Sequence, residues 1–305
     1  MANKSTSKHL RPQMQNKKVK LTTGDHVFNI IVNVFMVFIL IVIIVPVWST
    51  VTLSLRPADY IGSNLRAMFP PYYWSLDAYK ALLGNDGFLN AFVTSLEILV
   101  LGVCCALILT IPLAYVLSIH DLPGRKYINI FILIPYVFNV GMIPTYLMVK
   151  NIGLINHLPA VFLPGAISTY NAIIMRQFFE GIPNDLKESA KIDGCTEMQV
   201  LFKIMIPLSK AIIMTVGLYY GVSFWNDYFH PMLYLSKNYP LPILLRNILL
   251  ASGMNEYVEV NAFGNAPVDA IKAASVFLSA IPMVIAYPFI QKYFTKGTLA
   301  GAVKG

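Results

Sequence analysis

The sequence predicts an all-α integral membrane protein with six transmembrane helices, from its composition, its apolar stretches and the placement of its basic residues. Of the 305 residues, 56% are hydrophobic and only 12% are charged, and the mean hydropathy is +0.62. A soluble domain carries about 25% charged residues. Because the charge is too sparse to solvate a soluble globule of this size, a lipid bilayer is the solvent that suits the chain.

Six apolar stretches are long enough to cross a bilayer as helices, which takes roughly 20 residues. The first is longer than the apolar core of about 7–15 residues in a cleavable signal peptide. The fourth is the weakest, because Pro159, Pro164 and Gly165 interrupt it. The stretches lie at about 28–54, 89–119, 127–149, 157–179, 208–235 and 270–293.

Lysine and arginine residues predict that both termini lie in the cytoplasm. The polar segment 1–27 carries six of them and a single acidic residue, Asp25, directly before the first stretch. With the N-terminus inside, 16 of the 23 basic residues fall on the cytoplasmic side, as the positive-inside rule requires. The tail has no aromatic residue between its basic ones, unlike a nucleic-acid-binding surface. We therefore expect a basic cytoplasmic tail, 1–27, and a six-span domain, 28–305.

No motif for catalysis or nucleotide binding occurs in the sequence. The chain has no Gly-Lys dipeptide, and hence no GxxxxGK[ST] phosphate loop. It has no HExxH or GxSxG motif. Cys104, Cys105 and Cys195 have neither metal-binding nor disulfide-framework spacing, so we expect free thiols. The sequence therefore predicts no catalytic residue, no metal site and no cofactor held by this chain.

The loop between the fourth and fifth stretches, residues 180–207, predicts two short helices with a bend. Gly194 fits a left-handed residue that ends the first helix. Thr196 and Gln199 have the spacing of a capping box that begins the second. A loop of this length indicates a docking surface for a cytoplasmic partner. A helix lying on the membrane is the alternative, which the small residues at 189–190 disfavour because they offer little to lipid.

The same loop resembles the cytoplasmic signature of binding-protein-dependent ABC importer permeases, E-A-A-x3-G-x9-I-x-L-P. The spacing is kept, with Ser189 for the middle alanine and Ile206 for the leucine. The segment 225–228 (WNDY) resembles the WND[FY] of the family. The C-terminus, 287–305, is similar to that of maltose-type carbohydrate permeases, in the branch associated with lipoprotein-dependent oligosaccharide and polysaccharide uptake. The matching loop residues are Glu188, Ser189, Ala190, Gly194, Ile204, Ile206 and Pro207.

The resemblance, which covers about 28–305, implies the type I ABC importer permease fold in a bacterial cytoplasmic membrane. It implies four kinds of partner: a second homologous permease, two ATPase subunits that bind ATP and Mg, an extracytoplasmic solute-binding lipoprotein, and an oligosaccharide substrate. Glu188 would offer charge to the ATPase, Ala190 close approach and Gly194 the bend. The residues implied to contact the ATPase are Glu188, Ser189, Ala190, Asp193, Gly194, Ile204 and Pro207 in the loop and Val303, Lys304 and Gly305 in the C-terminal tail.

Polar residues in the stretches are candidates for a sugar path. Glu97 lies about 12 Å into the second stretch at 1.5 Å per residue, where a carboxylate costs roughly 2.5–3.5 kcal/mol; a structural pair with the partner permease is the other interpretation. Asn226, Asp227 and Tyr228 lie near the outer end of the fifth, where aromatic residues are also ordinary interface anchors. For the whole chain, the alternative function is a secondary transporter or channel that works alone, which has no need of the signature loop.

Overall fold

Every regular element that the structure describes is a helix, which confirms the all-α prediction for that part of the chain. The structure is a computed structural model and describes residues 23–57, 69, 74–138, 140–250 and 266–302. The helices are α1 (Thr23–Ser54), α2 (Asp77–Leu83), α3 (Asp86–Ser118), α4 (Arg125–Val137), α5 (Met142–Asn151), α6 (Pro159–Phe162), α7 (Thr169–Glu180), α8 (Asn184–Ile192), α9 (Glu197–Val200), a π-helix (Leu201–Met205), α10 (Ile206–Leu208), α11 (Lys210–Asn226), α12 (Phe229–Tyr234), α13 (Leu241–Leu250) and α14 (Val268–Ala302).

Three of these helices are long and apolar enough to cross a membrane: α1, α3 and the Val268–Pro288 part of α14. Two bent pairs of helices pass the same test. One is α4 with α5; the other is the Glu197–Leu208 segment with α11, and these two meet at a bend of 83°. The described residues therefore hold three to five candidate spans, against the six that the sequence predicts.

The predicted fourth span, 157–179, is divided between α6 and α7, with a non-helical break at 163–168. Pro164 lies in this break, where its missing N–H interrupts a helix. Ser168 begins α7 as its N-cap, and its Oγ accepts a hydrogen bond from the Asn171 N–H at 3.4 Å. The 12 residues of α7 rise about 18 Å at 1.5 Å per residue, which is less than the roughly 30 Å of a hydrocarbon core.

The chain divides into two compact units, 1–49 and 50–305. In the first unit, the described residues are the N-terminal part of α1. Its apolar side chains are exposed on every side, including Phe28 at 66% and Phe38 at 61%. A helix that is apolar all round is typical of a membrane span.

The second unit is built around the contact between α3 and α11. Gly217 and Gly221, four residues apart on α11, lie beside Val103 of α3. A β-carbon on Gly217 would lie 4.0 Å from the Val103 side chain, and one on Gly221 would lie 3.7 Å from it. A β-carbon on Gly102 of α3 would meet the Phe224 ring of α11 at 2.9 Å. Lipid gives membrane helices no hydrophobic force for association, so small residues that allow close approach are the usual contact.

The predicted fifth span, 208–235, is shorter in the structure, since α11 ends at Asn226. Asp227 is extended (φ −73°, ψ 110°), and its Oδ1 accepts hydrogen bonds from the N–H groups of Phe229 and His230 at 3.1 and 3.2 Å. A short carboxylate that binds the next backbone N–H groups competes with the helix. The chain therefore leaves α11 at Asp227 and begins α12.

Candidate functional site

The first helix of the 180–207 loop ends as its sequence predicts. Gly194 has φ +84°, and its N–H donates to the Lys191 carbonyl at 3.0 Å. The Cys195 N–H donates to the Ala190 carbonyl at 2.9 Å. These two bonds around a left-handed residue form a Schellman motif. The motif ends α8 sharply and turns the chain into α9, which confirms the predicted bend at Gly194.

The second helical segment of the loop begins with the predicted capping box. Thr196 Oγ1 accepts from the Gln199 N–H at 3.4 Å, and Gln199 Oε1 accepts from the Thr196 N–H at 2.9 Å. The following turn widens into the π-helix, in which the Ile206 N–H donates to the Leu201 carbonyl. Pro207 has no N–H and interrupts the ordinary ladder at this point. A single π turn before a proline marks a place where the helix can change its pitch.

The loop has one buried side. Val200, Leu201 and Met205 are buried in the core cluster of the second unit, and Ile204 packs against it. Ala190 belongs to the same cluster and is only 8% exposed. The side chain of Ala190 therefore packs inward and lets α8 lie tightly on the rest of the chain.

The other side of the loop is exposed and carries both charge and apolar groups. Four of the predicted ATPase-contacting residues lie there, and Pro207 is exposed further along. Ile192 is 86% exposed, the highest value among the large apolar residues that the structure describes. Such a patch is typical of a protein interaction site. The exposed members are Glu188, Ser189, Asp193 and Gly194, with the apolar side chains Leu186, Ile192, Met198 and Phe202 beside them.

Glu197 joins this loop to a membrane helix. The Tyr115 hydroxyl, in the last turn of α3, donates to Glu197 Oε2 at 2.6 Å. Lys191 Nζ of α8 lies 2.6 Å from Glu197 Oε1. The hydrogen bonds from Lys191 and Tyr115 lower the pKa of the Glu197 carboxyl. On the inner face of α8, burial lowers the pKa of the Lys187 ammonium.

A second charged cluster holds the start of the loop. Arg125, the first residue of α4, and Arg176 of α7 both form ion pairs with Glu180, the last residue of α7, and the Arg176–Glu180 distance is 2.9 Å. Arg176 also donates to Asn129 of α4 at 2.9 Å, and Arg125 donates to the Leu117 carbonyl at the end of α3 at 3.1 Å. The neighbouring ends of α3, α4 and α7 are therefore tied together where the loop begins.

A polar face runs along α11. Tyr219, Ser223 and Asn226 are exposed and recur at i, i+4 and i+7, which places them on one side of a helix. Tyr170, 53% exposed in the first turn of α7, lies beside Tyr219 with the ring centroids 6.3 Å apart. Exposed hydroxyl and amide groups on a membrane helix are expected to face water or protein rather than lipid.

Of the residues on this face, only Asn226 is among the path residues that the sequence predicts; Tyr170, Tyr219 and Ser223 are not. The helical spacing of 219, 223 and 226 is a signal for such a face. A hydropathy window hides that signal, because it averages single polar residues into their apolar surroundings.

The other predicted path residues do not lie together on this face. Asp227 is occupied with the backbone of α12 and with His230 Nδ1 at 2.7 Å. Tyr228 is 42% exposed, with its ring against Phe229. Glu97 is exposed on α3, about 200° around the helix from Leu99. Leu99 lies on the side of α11, since a β-carbon on Gly221 would meet its Cδ1 at 3.4 Å. Glu97 therefore faces away from α11.

The remaining predictions concern the C-terminal residues, the cysteines and a metal site. Val303, Lys304 and Gly305 lie outside the described residues. Cys104, Cys105 and Cys195 are free thiols, as predicted. In the part of the chain that the structure describes, no group of three or more His, Cys, Asp or Glu side chains is arranged to hold a metal ion.

Comparison with known proteins connects the loop and the helices around it to one family. The family model described as binding-protein-dependent transport system inner membrane component matches residues 98–300, which include the 180–207 loop and α11. The chain belongs to this family. It is a membrane component of a transport system and not a catalytic enzyme, which also removes the alternative of a transporter or channel that works alone.

Two relatives and one solved structure show how far the similarity of this inner membrane component extends. A polygalacturonan/rhamnogalacturonan transport system permease of Bacillus subtilis is 36% identical over 92% of this chain and 99% of its own. An arabinooligosaccharides transport system permease of Halalkalibacterium halodurans is 30% identical over 88% of this chain and 94% of its own. A chain of a bacterial ABC transporter involved in the import of the acidic polysaccharide alginate superposes with a TM-score of 0.82, at 28% identity, over 90% of this chain and 99% of that one.

Proposed function

We propose that this inner membrane component is one of two permeases that together form the path for an oligosaccharide in an ATP-driven importer. The observation that carries the proposal is the 180–207 loop, which ends α8 with a Schellman motif and exposes acidic and apolar groups side by side. The substrate class is supported by the two relatives and the solved structure, each named for a carbohydrate.

The exposed side of the loop would dock on an ATPase subunit, through Glu188, Ser189, Asp193 and Gly194. Ile204 and Pro207 would support this surface from the second helical segment, and Ala190 from within. Energy must come from another chain, because this sequence has no phosphate loop. ATP and Mg are therefore assigned to the ATPase pair. The C-terminal residues Val303, Lys304 and Gly305 are proposed to reach the same pair.

The topology that fits this function has six spans, with the tail 1–27, the loop and the C-terminus in the cytoplasm. The distribution of basic residues supports this orientation. The broken α6–α7 segment would be the fourth span, since half-helices occur in membranes where they line a cavity.

The polar face of α11 is proposed to line the sugar path, with Tyr170 beside it. Tyrosine rings offer flat apolar surface to a pyranose ring, and the Ser223 and Asn226 groups can exchange hydrogen bonds with its hydroxyls. Asp227 and Tyr228 would support the outer end of this face. Glu97, on the other side of α3, is assigned to a contact with the second permease.

The experiment is uptake into proteoliposomes that contain the chain, its partner permease, the ATPase pair and the solute-binding protein. Oligosaccharides from polygalacturonan, arabinan and alginate are compared at equal concentration, with ATP inside. We expect uptake of one class that depends on both ATP and the binding protein. ATP-independent uptake, or ATP hydrolysis by this chain alone, would contradict the proposal.

Variants of the polar face sharpen this test. Tyr219→Ala and Ser223→Ala are expected to raise the substrate concentration for half-maximal uptake, while Thr215→Ala, one turn nearer the other end of α11 with its hydroxyl bonded to the Ala211 carbonyl, is expected to leave it unaltered. If all three variants transport like the parent, the path lies elsewhere.

A further inference from the structure

One carboxylate in the 180–207 loop connects three helices. Glu197, the first residue of α9, accepts from Tyr115 of α3 and pairs with Lys191 of α8 through its two oxygens, each at 2.6 Å. We propose that Glu197 is a positioning residue that transmits movement of the loop to α3, by holding the hydroxyl of Tyr115. This inference rests on the proposed function, in which ATPase subunits move the loop.

Along the chain, the loop is connected to α11 through a bend and not through a continuous helix. The helical segment that leaves the loop meets α11 at 83°, and Ser209 between them is non-helical, with φ −104° and ψ 17°. The π-helix lies just before this bend. Bends at a few element-terminal residues are where rotation between segments is absorbed. A push on the loop would therefore be partly lost at Ser209 before it reached α11.

The hydrogen bond between Tyr115 and Glu197 gives the loop a second connection, which does not pass through the bend at Ser209. Tyr115 is 4% exposed and lies in the last turn of α3. A buried tyrosine hydroxyl needs a hydrogen-bond partner, and Glu197 is the one it has. Lys191 balances the charge of the carboxylate, so the bond persists without an isolated charge beside the end of α3. The three groups move as one unit, which joins the two helices of the loop to α3.

α3 is well placed to pass this movement on. It packs against α11, and Gly102 of α3 and Gly217 and Gly221 of α11 allow the two helices to approach closely. In addition, Thr110 Oγ1 of α3 shares a hydrogen bond with the Tyr220 hydroxyl of α11 at 2.8 Å. Tyr220 directly follows Tyr219, which belongs to the polar face. A displacement of α3 therefore shifts the helix that carries the proposed path.

The test measures uptake per ATP hydrolysed in the reconstituted complex. Tyr115→Phe removes only the hydroxyl, and its buried position keeps it out of any direct contact with the ATPase. Glu197→Ala removes the acceptor, and Glu197→Gln keeps an oxygen that can accept from Tyr115. Tyr127→Phe, the same change at a tyrosine that is 77% exposed, is the matched control.

We expect Tyr115→Phe and Glu197→Ala each to lower uptake per ATP by about tenfold or more, since tenfold is the lower end of the effect of one hydrogen bond to a charged group. The double variant should be no worse than either single one, because both remove the same bond. Glu197→Gln should retain most of the coupling, and Tyr127→Phe all of it. A purely structural role would instead lower assembly and ATP hydrolysis together and leave their ratio to uptake unaltered.

Two results would overturn the inference. The first is a normal ratio of uptake to ATP hydrolysis in Tyr115→Phe, in a complex whose parent transports well. The second is additivity of the Tyr115→Phe and Glu197→Ala effects. If Glu197→Ala fails to assemble, Tyr115→Phe decides alone. Absence of transport by the parent complex would contradict the proposed function itself, which separates the two failures.

Discussion

Gly194 shows how a single backbone angle shapes the docking surface. Its φ of +84° lies in the left-handed region, and a β-carbon built there would have no neighbour within 4 Å. The cost of a larger residue at this position would thus come from the backbone and not from a clash within the chain. A left-handed conformation costs an L-residue roughly 1–2 kcal/mol, with asparagine among the tolerated exceptions.

We therefore predict that Gly194→Val uncouples uptake from ATP hydrolysis while the membrane helices still insert. The β-branched residue strains the Schellman turn and tilts α8 against α9. The measurement is uptake and ATP hydrolysis in the reconstituted complex. Gly194→Asn is the control, since asparagine accepts this conformation and should retain most of the coupling. Normal uptake with Gly194→Val would show that the loop is not the coupling element.

Gly102 has the opposite constraint, because its neighbours are close and its backbone is ordinary. A β-carbon there would lie 2.9 Å from Phe224 Cδ2 and 3.2 Å from Phe162 Cβ. We predict that Gly102→Ala destabilises the protein by about 1–3 kcal/mol, the usual cost of overpacking. Thermal unfolding of the purified chain in detergent measures this.

Gly217→Ala is the matched control for Gly102→Ala. Its β-carbon would meet Leu107 Cδ1 at 3.5 Å, an ordinary van der Waals contact on the same helix pair. Equal melting temperatures for the two alanine variants would show that the α3–α11 contact is looser than the structure indicates.

Among the helices, the sequence predicted best those features that depend on neighbours in the chain. The bounds of α3 lie within about three residues of the predicted second span, and the capping box and the left-handed Gly194 are both present. The signals for these features are local: an apolar run, a spacing of three residues, a glycine after a helix.

Features that depend on distant parts of the chain could not be predicted. Tyr115 and Glu197 are 82 positions apart, and nothing near either one indicates the other. The end of α11 is mispredicted for another reason: its signal is local, since the Asp227 side chain takes up the next backbone donors, but the apolar character continues to residue 235 and hides it. Hydropathy measures the preference of side chains for lipid and does not report which backbone groups are satisfied.

One hydroxyl contributes to the attachment of the broken fourth segment at the start of α7. The Tyr220 hydroxyl of α11 accepts from the Ser168 N–H at 2.9 Å and shares a hydrogen bond with Thr110 of α3 at 2.8 Å. It thereby ties the first turn of α7 to two long helices. An unsatisfied backbone donor in a membrane interior is costly, although measured side-chain bonds between membrane helices average about 0.6 kcal/mol.

We predict that Tyr220→Phe lowers the thermal stability of the chain in detergent, by about 1 kcal/mol, because it leaves the Ser168 N–H and Thr110 without this partner. Tyr219→Phe, one residue earlier and exposed, should melt like the parent. The outcome against this prediction is an unaltered melting temperature for Tyr220→Phe, which would mean that water replaces the hydroxyl in the break between α6 and α7.

On the scale of the whole molecule, the number of crossings is the property that matters most for the function. Within the residues that the structure describes, three helices meet the length and hydropathy test, and two bent pairs raise the number to five. The sixth crossing of the proposed topology is the α6–α7 segment, whose helical part is too short by itself. If this segment did not cross, the 180–207 loop and the C-terminal tail would both lie on the opposite side of the membrane from the basic N-terminal tail, and neither could meet an ATPase in the cytoplasm.

We predict that thiol labelling gives the alternating pattern of a six-span protein with both termini inside. In a background without Cys104, Cys105 and Cys195, single cysteines replace exposed residues between the predicted spans. Lys150→Cys and Lys237→Cys should react with a membrane-impermeant maleimide on intact cells, because the proposed topology puts both outside. Lys126→Cys and Asp185→Cys should react only after permeabilisation.

Two comparisons test the segments whose crossing is in question. Lys126 and Lys150 lie near the two ends of the bent α4–α5 pair, and Lys150 and Asp185 lie on either side of the broken α6–α7 segment. Labelling of Asp185→Cys on intact cells would mean that this segment does not cross, and the loop would then lie on the wrong side of the membrane to meet an ATPase.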